Sequence, residues 1–240
     1  MFIFLRLLLA HFIADFPLQV SSIYGLKLQK TWGAFLHSAI VAAVCVLLCL
    51  PFLGISKIWV IILWIWLLHG LQDWAKVTYC EKTRKDNLWI FMLDQLLHMG
   101  LISIVFLIGE LNHVTLPEQG NSVIAGIYCN DRLVILLMGY IFLCYGGLFM
   151  NLYVREDFFK MGRLEIPAWR EKYLGMLERA LLGTAVILEG VWLILLPAYW
   201  LILYLSGKLK EKKQVIGVSV NMVISVLVGI VVRIAANQIK

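Results

Sequence analysis

The chain has 240 residues, of which 62% are hydrophobic and 15% charged, with a formal net charge of +6. Its mean hydropathy of +0.87 lies far above that of a soluble globular domain, so that class is excluded. The positive charges form no basic stripe with interleaved aromatic residues, which excludes a typical nucleic-acid-binding protein as well. We therefore expect an all-α, polytopic transmembrane helix bundle.

Hydropathy predicts about seven or eight membrane segments. In chain order they lie near 2–20, 33–50, 58–76, 88–109 and 132–150, then over a long apolar stretch at 176–206 and a last helix at 215–236. The first segment lacks the small-residue cleavage site of a signal peptide, so we expect a retained helix. Residues 1–110 are predicted to form a four-helix core, and residues 111–240 the remaining helices of one continuous membrane domain.

Basic residues in the short loops predict the orientation. The loops after the first, third and fifth segments are rich in lysine and arginine, as at Lys27, Lys30 and Arg84. By the positive-inside rule these loops are cytoplasmic and the N-terminus lies outside. Glu178 and Arg179 are expected at the same cytoplasmic interface, where their charges stay solvated. The sequence thus predicts a multi-pass protein of the cytoplasmic membrane.

The apolar stretch 176–206 allows two topologies. A second basic cluster begins at Lys208, directly after it. If both flanks are cytoplasmic, the stretch crosses an even number of times, as a hairpin of two short or re-entrant helices that turns at Gly190 or Pro197. One long tilted helix is the alternative. The charge bias favours the hairpin, with Glu189 at its tip.

Histidine and aspartate residues interrupt the first four apolar segments. Charges and imidazoles are costly in hydrocarbon, and residues of this kind mark functional sites in membrane proteins. The set comprises His11, Asp15, His37, His69, Asp73, Asp94 and His98. Pairs spaced i, i+4 lie on one helix face. Because consecutive helices alternate in direction, we expect the whole set at one level in the cytoplasmic half of the membrane.

Imidazole and carboxylate groups together suit zinc, iron, manganese or nickel. We therefore predict a divalent metal site, with zinc as the first candidate. The ligands expected first are His11, Asp15, His69 and His98. Asp73 and Asp94 would be further ligands or the general base, and His37 is a further candidate ligand. Lys76 could stabilise anionic charge on a substrate. The five cysteines include no Cys-x-x-Cys pair, so a cysteine-type zinc site is not supported.

Each of these polar residues also has an ordinary explanation. A histidine or glutamine in a membrane helix often bridges helices by a hydrogen bond, which applies to Gln19 and Gln95 too. Asp73 and Lys76 could form a simple i, i+3 salt bridge. His113 is expected in a solvated outer loop and is excluded from the site. The shared membrane level is the observation that favours one common site.

Four segments of the chain carry a recognisable pattern. They read AHFIADFPLQ at 10–19, HGLQDWAK at 69–76, LDQLLH at 93–98 and GMLERALL at 175–182. This pattern resembles a bacterial membrane family called domain of unknown function 3307. The resemblance implies site roles for His11, Asp15, Gln19, His69, Asp73, Lys76, Asp94, Gln95 and His98, with His37 as a further match. The chain differs from the family near its C-terminus, where IGVSVNMVISVLVG replaces a Gly-Thr-Leu stretch. The His/Asp layout is also similar in style to that of membrane-bound metal-dependent hydrolases.

The leading functional hypothesis is an integral membrane metal-dependent hydrolase that acts on a lipid or membrane-bound substrate, with no nucleic-acid partner. Two alternatives stay open. An ion or proton-coupled transporter also uses intramembrane aspartate and histidine chains, but it predicts polar residues at several depths. The outer halves of the first four helices hold few, apart from Arg6. A non-catalytic scaffold subunit would use the cluster only to hold helices together.

Overall fold

The computed structural model describes residues 1–112, 123–162, 167–207 and 209–239. Every regular element of these residues is helical, which confirms the all-α class. The contacts divide the chain into two compact units, Met1–Val134 and Ile135–Lys240. His113 and Lys208, which the sequence analysis discussed, lie outside the described residues.

The first unit contains seven helices and the start of an eighth among its described residues. They are α1 (Phe2–Asp15), α2 (Ser21–Gln29), α3 (Thr31–Leu48), α4 (Ser56–Thr83), α5 (Leu88–Ile102), α6 (Gly109–Asn112), α7 (Val123–Tyr128) and α8 (Asp131–Ile141). Short 3-10 turns cover Leu50–Phe52 and Ser103–Leu107. In the second unit, a π-helical turn at Phe142–Gly146 is followed by α9 (Gly147–Asp157), α10 (Trp169–Leu188), a 3-10 turn (Gly190–Ile194), α11 (Leu195–Leu205) and α12 (Lys212–Gln238).

Five helical stretches of the described residues are long and apolar enough to cross a membrane. They are Thr31–Leu48, Ser56–Thr83, Leu88–Leu107, Asp131–Asp157 and Lys212–Gln238, and a shorter apolar helix covers Gly190–Leu205. This set is compatible with a multi-pass membrane protein. The total of seven or eight segments and the outward N-terminus stay predictions.

The first apolar segment is shorter than the predicted 2–20, because α1 ends at Asp15. Pro17 has no N–H to donate to a carbonyl one turn back, so the regular helix cannot continue through it. The Leu18 amide donates to the Ile13 carbonyl at 3.1 Å instead. The following residues then form α2, which hydropathy did not predict because that helix is only weakly apolar.

Gly33 determines how closely α2 packs against the start of α3. A Cβ added at Gly33 would lie 2.2 Å from the backbone oxygen of Leu26 and 2.7 Å from the backbone nitrogen of Lys27. These are backbone atoms, so α2 itself would have to move. Gly33 therefore sets the position of Lys27.

We expect Gly33→Ala to destabilise the protein by about 1–3 kcal/mol, the usual cost of overpacking. Gly25→Ala is the matched control, because no atom lies within 4 Å of its added Cβ. Alanine inside a helix gains up to about 1 kcal/mol over glycine, so the control should be neutral or stabilising. Thermal unfolding in detergent measures both, and equal melting temperatures would contradict the close approach.

An apolar core fills one end of the first unit. Its larger residues come mainly from the N-terminal halves of α1 and α4 and from the C-terminal halves of α3 and α5, and Ala10 and Ala14 extend it along α1. Its buried members include Ile3, Leu7, Val44, Cys45, Cys49, Ile58, Ile61, Ile62, Ile65 and Ile102. Arg6 is buried at this end, with its guanidinium paired to the Asp131 carboxylate and the Tyr128 carbonyl. The buried charge of Arg6, in the N-terminal half of α1, is therefore neutralised by a carboxylate of the same unit.

The second unit contains the predicted hairpin. The helix over 169–188 breaks at Glu189, which has φ 58°, and at Gly190, which has φ 59°, a left-handed conformation that favours glycine. Lys172 from the start of α10 and Lys213 from the start of α12 line one cavity, so the chain reverses between them. The described residues therefore fold back at the break, as the hairpin predicts and one continuous helix does not, and the even number of membrane crossings stays a prediction. Glu189 lies at the turn and pairs with Arg233.

Arg179 contradicts the expected solvated interface, because only 2% of it is exposed. Its Nε donates to the Leu143 carbonyl and its Nη2 to the Cys144 carbonyl, both at 2.7 Å. Both carbonyls belong to the π-helical turn, where the regular backbone ladder is interrupted. The freed carbonyls thus supply acceptors that allow a guanidinium to be buried.

Candidate metal centre

The structure brings all members of the predicted His/Asp set to one place in the first unit. They lie in the C-terminal half of α1, in the N-terminal half of α3, in the middle of α4 and near the middle of α5, next to the larger apolar residues of the core. None is more than 8% exposed. We call His11, Asp15, His37, His69, Asp73, Asp94 and His98 the His/Asp cluster. Four helices thus contribute to one buried polar centre.

His69 lies at the middle of this cluster. Its ring centroid is 4.1 Å from that of His98, 5.4 Å from that of His37 and 5.5 Å from that of His11. Its Nε2 is 3.4 Å from an Asp15 oxygen and 3.5 Å from an Asp73 oxygen. One imidazole therefore contacts every other histidine of the cluster and two of its three carboxylates.

Lys27 belongs to this centre, although the sequence analysis counted it only as a loop charge. It lies on α2, is 7% exposed, and its Nζ is 2.6 Å from Oδ1 of Asp73. The other oxygen of Asp73 faces His69 at 3.5 Å and His37 at 3.8 Å. No local pattern marks Lys27 as a site residue. The sequence did offer one indirect indication of such a residue. The predicted buried set contains three carboxylates, and buried carboxylates need cations to compensate their charge.

Lys76 makes a similar contact with Asp94. Its Nζ is 2.8 Å from Oδ2 of Asp94, which also accepts a hydrogen bond from Gln95 at 3.3 Å. Oδ1 of Asp94 faces His98 at 3.7 Å. The alternative of an Asp73–Lys76 salt bridge is therefore wrong, since each residue has another partner. The Lys76 side chain is 24% exposed, more than any member of the His/Asp cluster.

Asp15 differs from the other two carboxylates in its partners. Its Oδ1 is 3.1 Å from His37 Nε2, 3.4 Å from His11 Nδ1 and 3.4 Å from His69 Nε2. No lysine or arginine of the described residues pairs with it. Gln19, beyond the end of α1, reaches the same imidazole of His37 at 3.3 Å. Asp15 is thus a buried carboxylate surrounded by imidazoles.

The donor atoms of the cluster fit a metal ion. Within the described residues, both nitrogens of His11 and His98 and Nε2 of His69 are buried without a hydrogen-bond partner. Buried polar atoms are normally satisfied, so this set needs an explanation. Three overlapping groups have ligand atoms within 4.8 Å of one another, namely His11–Asp15–His69, His37–His69–Asp73 and Asp73–Asp94–His98. The three carboxylates of the cluster outnumber the two ammonium groups by one, so the ion pairs leave one carboxylate without a lysine partner.

Residues 3–123 match the family described as "Protein of unknown function (DUF3307)". The chain belongs to the DUF3307 family. The matched range contains the whole His/Asp cluster together with Lys27 and Lys76, so this centre lies in the part of the chain that the DUF3307 family defines. The GMLERALL segment lies beyond the match. No curated protein and no solved structure matches the chain.

Proposed function

We propose that this protein is an integral membrane hydrolase that depends on one divalent metal ion, with zinc as the first candidate. The observation that carries the proposal is the buried His/Asp cluster with unpartnered imidazole nitrogens. A cluster that only held helices together would satisfy these nitrogens with hydrogen bonds. Buried ionisable groups with unmet bonding capacity are typical of functional sites.

His11, Asp15 and His69 are the ligands that the contacts favour most. Asp73 and Asp94 already bind ammonium groups, whereas the ion-pair partners of Asp15 among the described residues are imidazoles. Asp15 is a carboxylate without an ammonium partner and lies beside histidines, so it offers the most favourable place for a cation in this centre. His37 and His98 complete the set of candidate ligands around it. A divalent ion held there would act as a Lewis acid and make water a stronger nucleophile near neutral pH.

The two lysine–aspartate pairs orient the remaining histidines. Lys27 holds one oxygen of Asp73, which leaves the other facing His69; Lys76 does the same for Asp94 and His98. A carboxylate beside an imidazole fixes its tautomer and ring position. Asp94 lies next to the partly exposed Lys76, so we assign it the role of general base. Lys76 would attract a phosphate- or carboxylate-bearing substrate.

The apolar core next to the cluster supports a site open to one side of the membrane. A transport pathway needs polar groups along the whole depth. Here Arg6, at the far end, is buried in its own ion pair with Asp131. Together with the positive-inside bias, this favours a substrate reached from the cytoplasmic half, either a lipid or a membrane-bound peptide.

The test uses the full-length protein in proteoliposomes made from bacterial polar lipids. We expect close to one zinc per chain by elemental mass spectrometry, and hydrolysed lipid or peptide products that disappear on chelation and return with zinc. Asp94→Asn should keep the metal and lose at least about 100-fold in rate, within the range for loss of a general base. Absence of metal, or metal without any hydrolytic product, would overturn the proposal. Proton or ion flux through the same vesicles would support the transporter instead.

A further inference from the structure

A second polar centre lies in the second unit, separate from the His/Asp cluster. Its floor is a hydrogen-bonded network in which Asn151 donates to Oδ1 of Asn221 at 2.8 Å and Arg179 donates to the same oxygen at 3.0 Å. Asn221 in turn donates to a Glu178 oxygen at 3.2 Å. The network is fixed by packing, since a Cβ at Gly147 would lie 2.9 Å from Arg179.

A cavity of about 540 Å³ opens above this floor. Three helix ends bring cations to it: Arg155 from the last turn of α9, Lys172 from the first turn of α10 and Lys213 from the first turn of α12. Glu171 is the one acidic residue among the described residues that line it. Together with the buried Arg179, the three cations therefore outnumber the carboxylates of Glu171 and of Glu178 in the floor, and the cavity is cationic.

Arg155 has an unmet hydrogen-bonding capacity. Its Nε is buried and has no acceptor among the described residues. Its guanidinium lies against the backbone of Gly217, where an added Cβ would be 3.6 Å from Cζ. A buried guanidinium N–H without an acceptor is costly, so this geometry suits an anion supplied from outside the chain.

We propose that the cavity binds a phosphate group through Arg155, Lys172 and Lys213, as carried by the head group of an anionic phospholipid. A guanidinium donates paired hydrogen bonds to phosphate oxygens, and ammonium groups add charge. Basic pockets between membrane helices on the cytoplasmic side are typical lipid head-group sites. Leucines at 148, 152 and 203 line the same cavity and would contact the acyl region. This site does not depend on the proposed hydrolase function.

The experiment compares lipid retention by native mass spectrometry, with full-length protein in a non-ionic detergent. Phosphatidylglycerol is expected to be retained at least tenfold more tightly than phosphatidylcholine. Arg155→Gln combined with Lys213→Gln should remove that preference. The matched control is Arg170→Gln combined with Lys212→Gln, which removes the same charge from neighbouring positions outside the cavity lining. This control should keep the preference for phosphatidylglycerol. If the first double variant does not fold, Lys172→Glu, at the start of α10, tests the same cavity and should also remove the preference.

Inorganic phosphate distinguishes the two sources of the anion. If it displaces phosphatidylglycerol, the phosphate group alone is recognised; if it does not, the lipid is needed, and either result supports the site. Equal retention of both lipids by the natural protein would overturn the proposal. So would an equal loss of the preference in the matched control.

Discussion

Replacing His69 and His98 together by alanine is expected to abolish stoichiometric metal binding. His69 contributes to two of the three candidate ligand groups, and His98 contributes to the third. Changing only the groups that support metal ligands already costs about 10–100-fold in affinity, so loss of the ligands should weaken binding by at least about 100-fold. Elemental mass spectrometry of the purified variant measures the occupancy, and a zinc titration against a competing chelator measures the affinity.

Single variants rank the histidines and provide the controls. Because His69 contacts all the other imidazoles of the cluster, His69→Ala should lose more metal than His37→Ala. His113→Ala, which changes the one histidine outside the cluster, should keep full occupancy. His69→Gln with His98→Gln retains polar side chains and tests whether the alanine variant has simply unfolded. Full metal occupancy in both double variants would show that the cluster is not the binding site.

Replacing Lys27 by methionine is expected to cost the metal-free protein about 3–5 kcal/mol, the usual penalty for breaking a buried ion pair. Methionine fills a similar volume but leaves the Asp73 carboxylate, which is fully buried, without its ammonium partner. If a divalent ion binds the cluster as proposed, it would restore part of the missing positive charge. The variant should therefore gain more stability from added zinc than the natural protein does. Thermal unfolding in detergent, with and without zinc, measures both effects.

Two further variants isolate the Lys27–Asp73 pair. Lys27→Met combined with Asp73→Asn should recover much of the lost stability, because no uncompensated charge is left in the core. Lys30→Met removes an exposed lysine three residues away and should stay within about 0.5 kcal/mol of the natural protein. A Lys27→Met variant as stable as Lys30→Met would mean that the ion pair contributes nothing to the fold.

The ion pairs change what the cluster can do. A carboxylate already bound to an ammonium group is a weaker metal ligand than a free one, because the lysine would have to move away. Asp73 and Asp94 are in that state, whereas Asp15 is not. For the proposed metal ion, the first-choice ligands are therefore His11, Asp15 and His69. The two lysine-bound aspartates are better suited to orienting the histidines that they face.

The sequence by itself determined the helical class, the membrane character and the shared level of the His/Asp cluster. Hydropathy reports directly on burial in hydrocarbon. The i, i+4 spacing places His69 with Asp73, and Asp94 with His98, on single helix faces, because a turn of helix takes 3.6 residues. Alternating helix direction then brings these faces to one end of the bundle. Of the two turn positions that the sequence offered, the chain breaks at Gly190, which adopts a positive φ without strain, and Pro197 lies inside α11.

Only the tertiary structure decided which charges meet. The pairing of Lys27 with Asp73, and of Lys76 with Asp94, depends on distances between helices that no local pattern encodes. Lys27 enters the site because Pro17 ends α1 early and Gly33 allows α2 to pack tightly against α3. The same applies to Arg179, which a linear pattern places at a wet interface but which the carbonyls of the π-helical turn hold in the interior. Long-range packing, and not residue spacing, selects the partner of each buried charge.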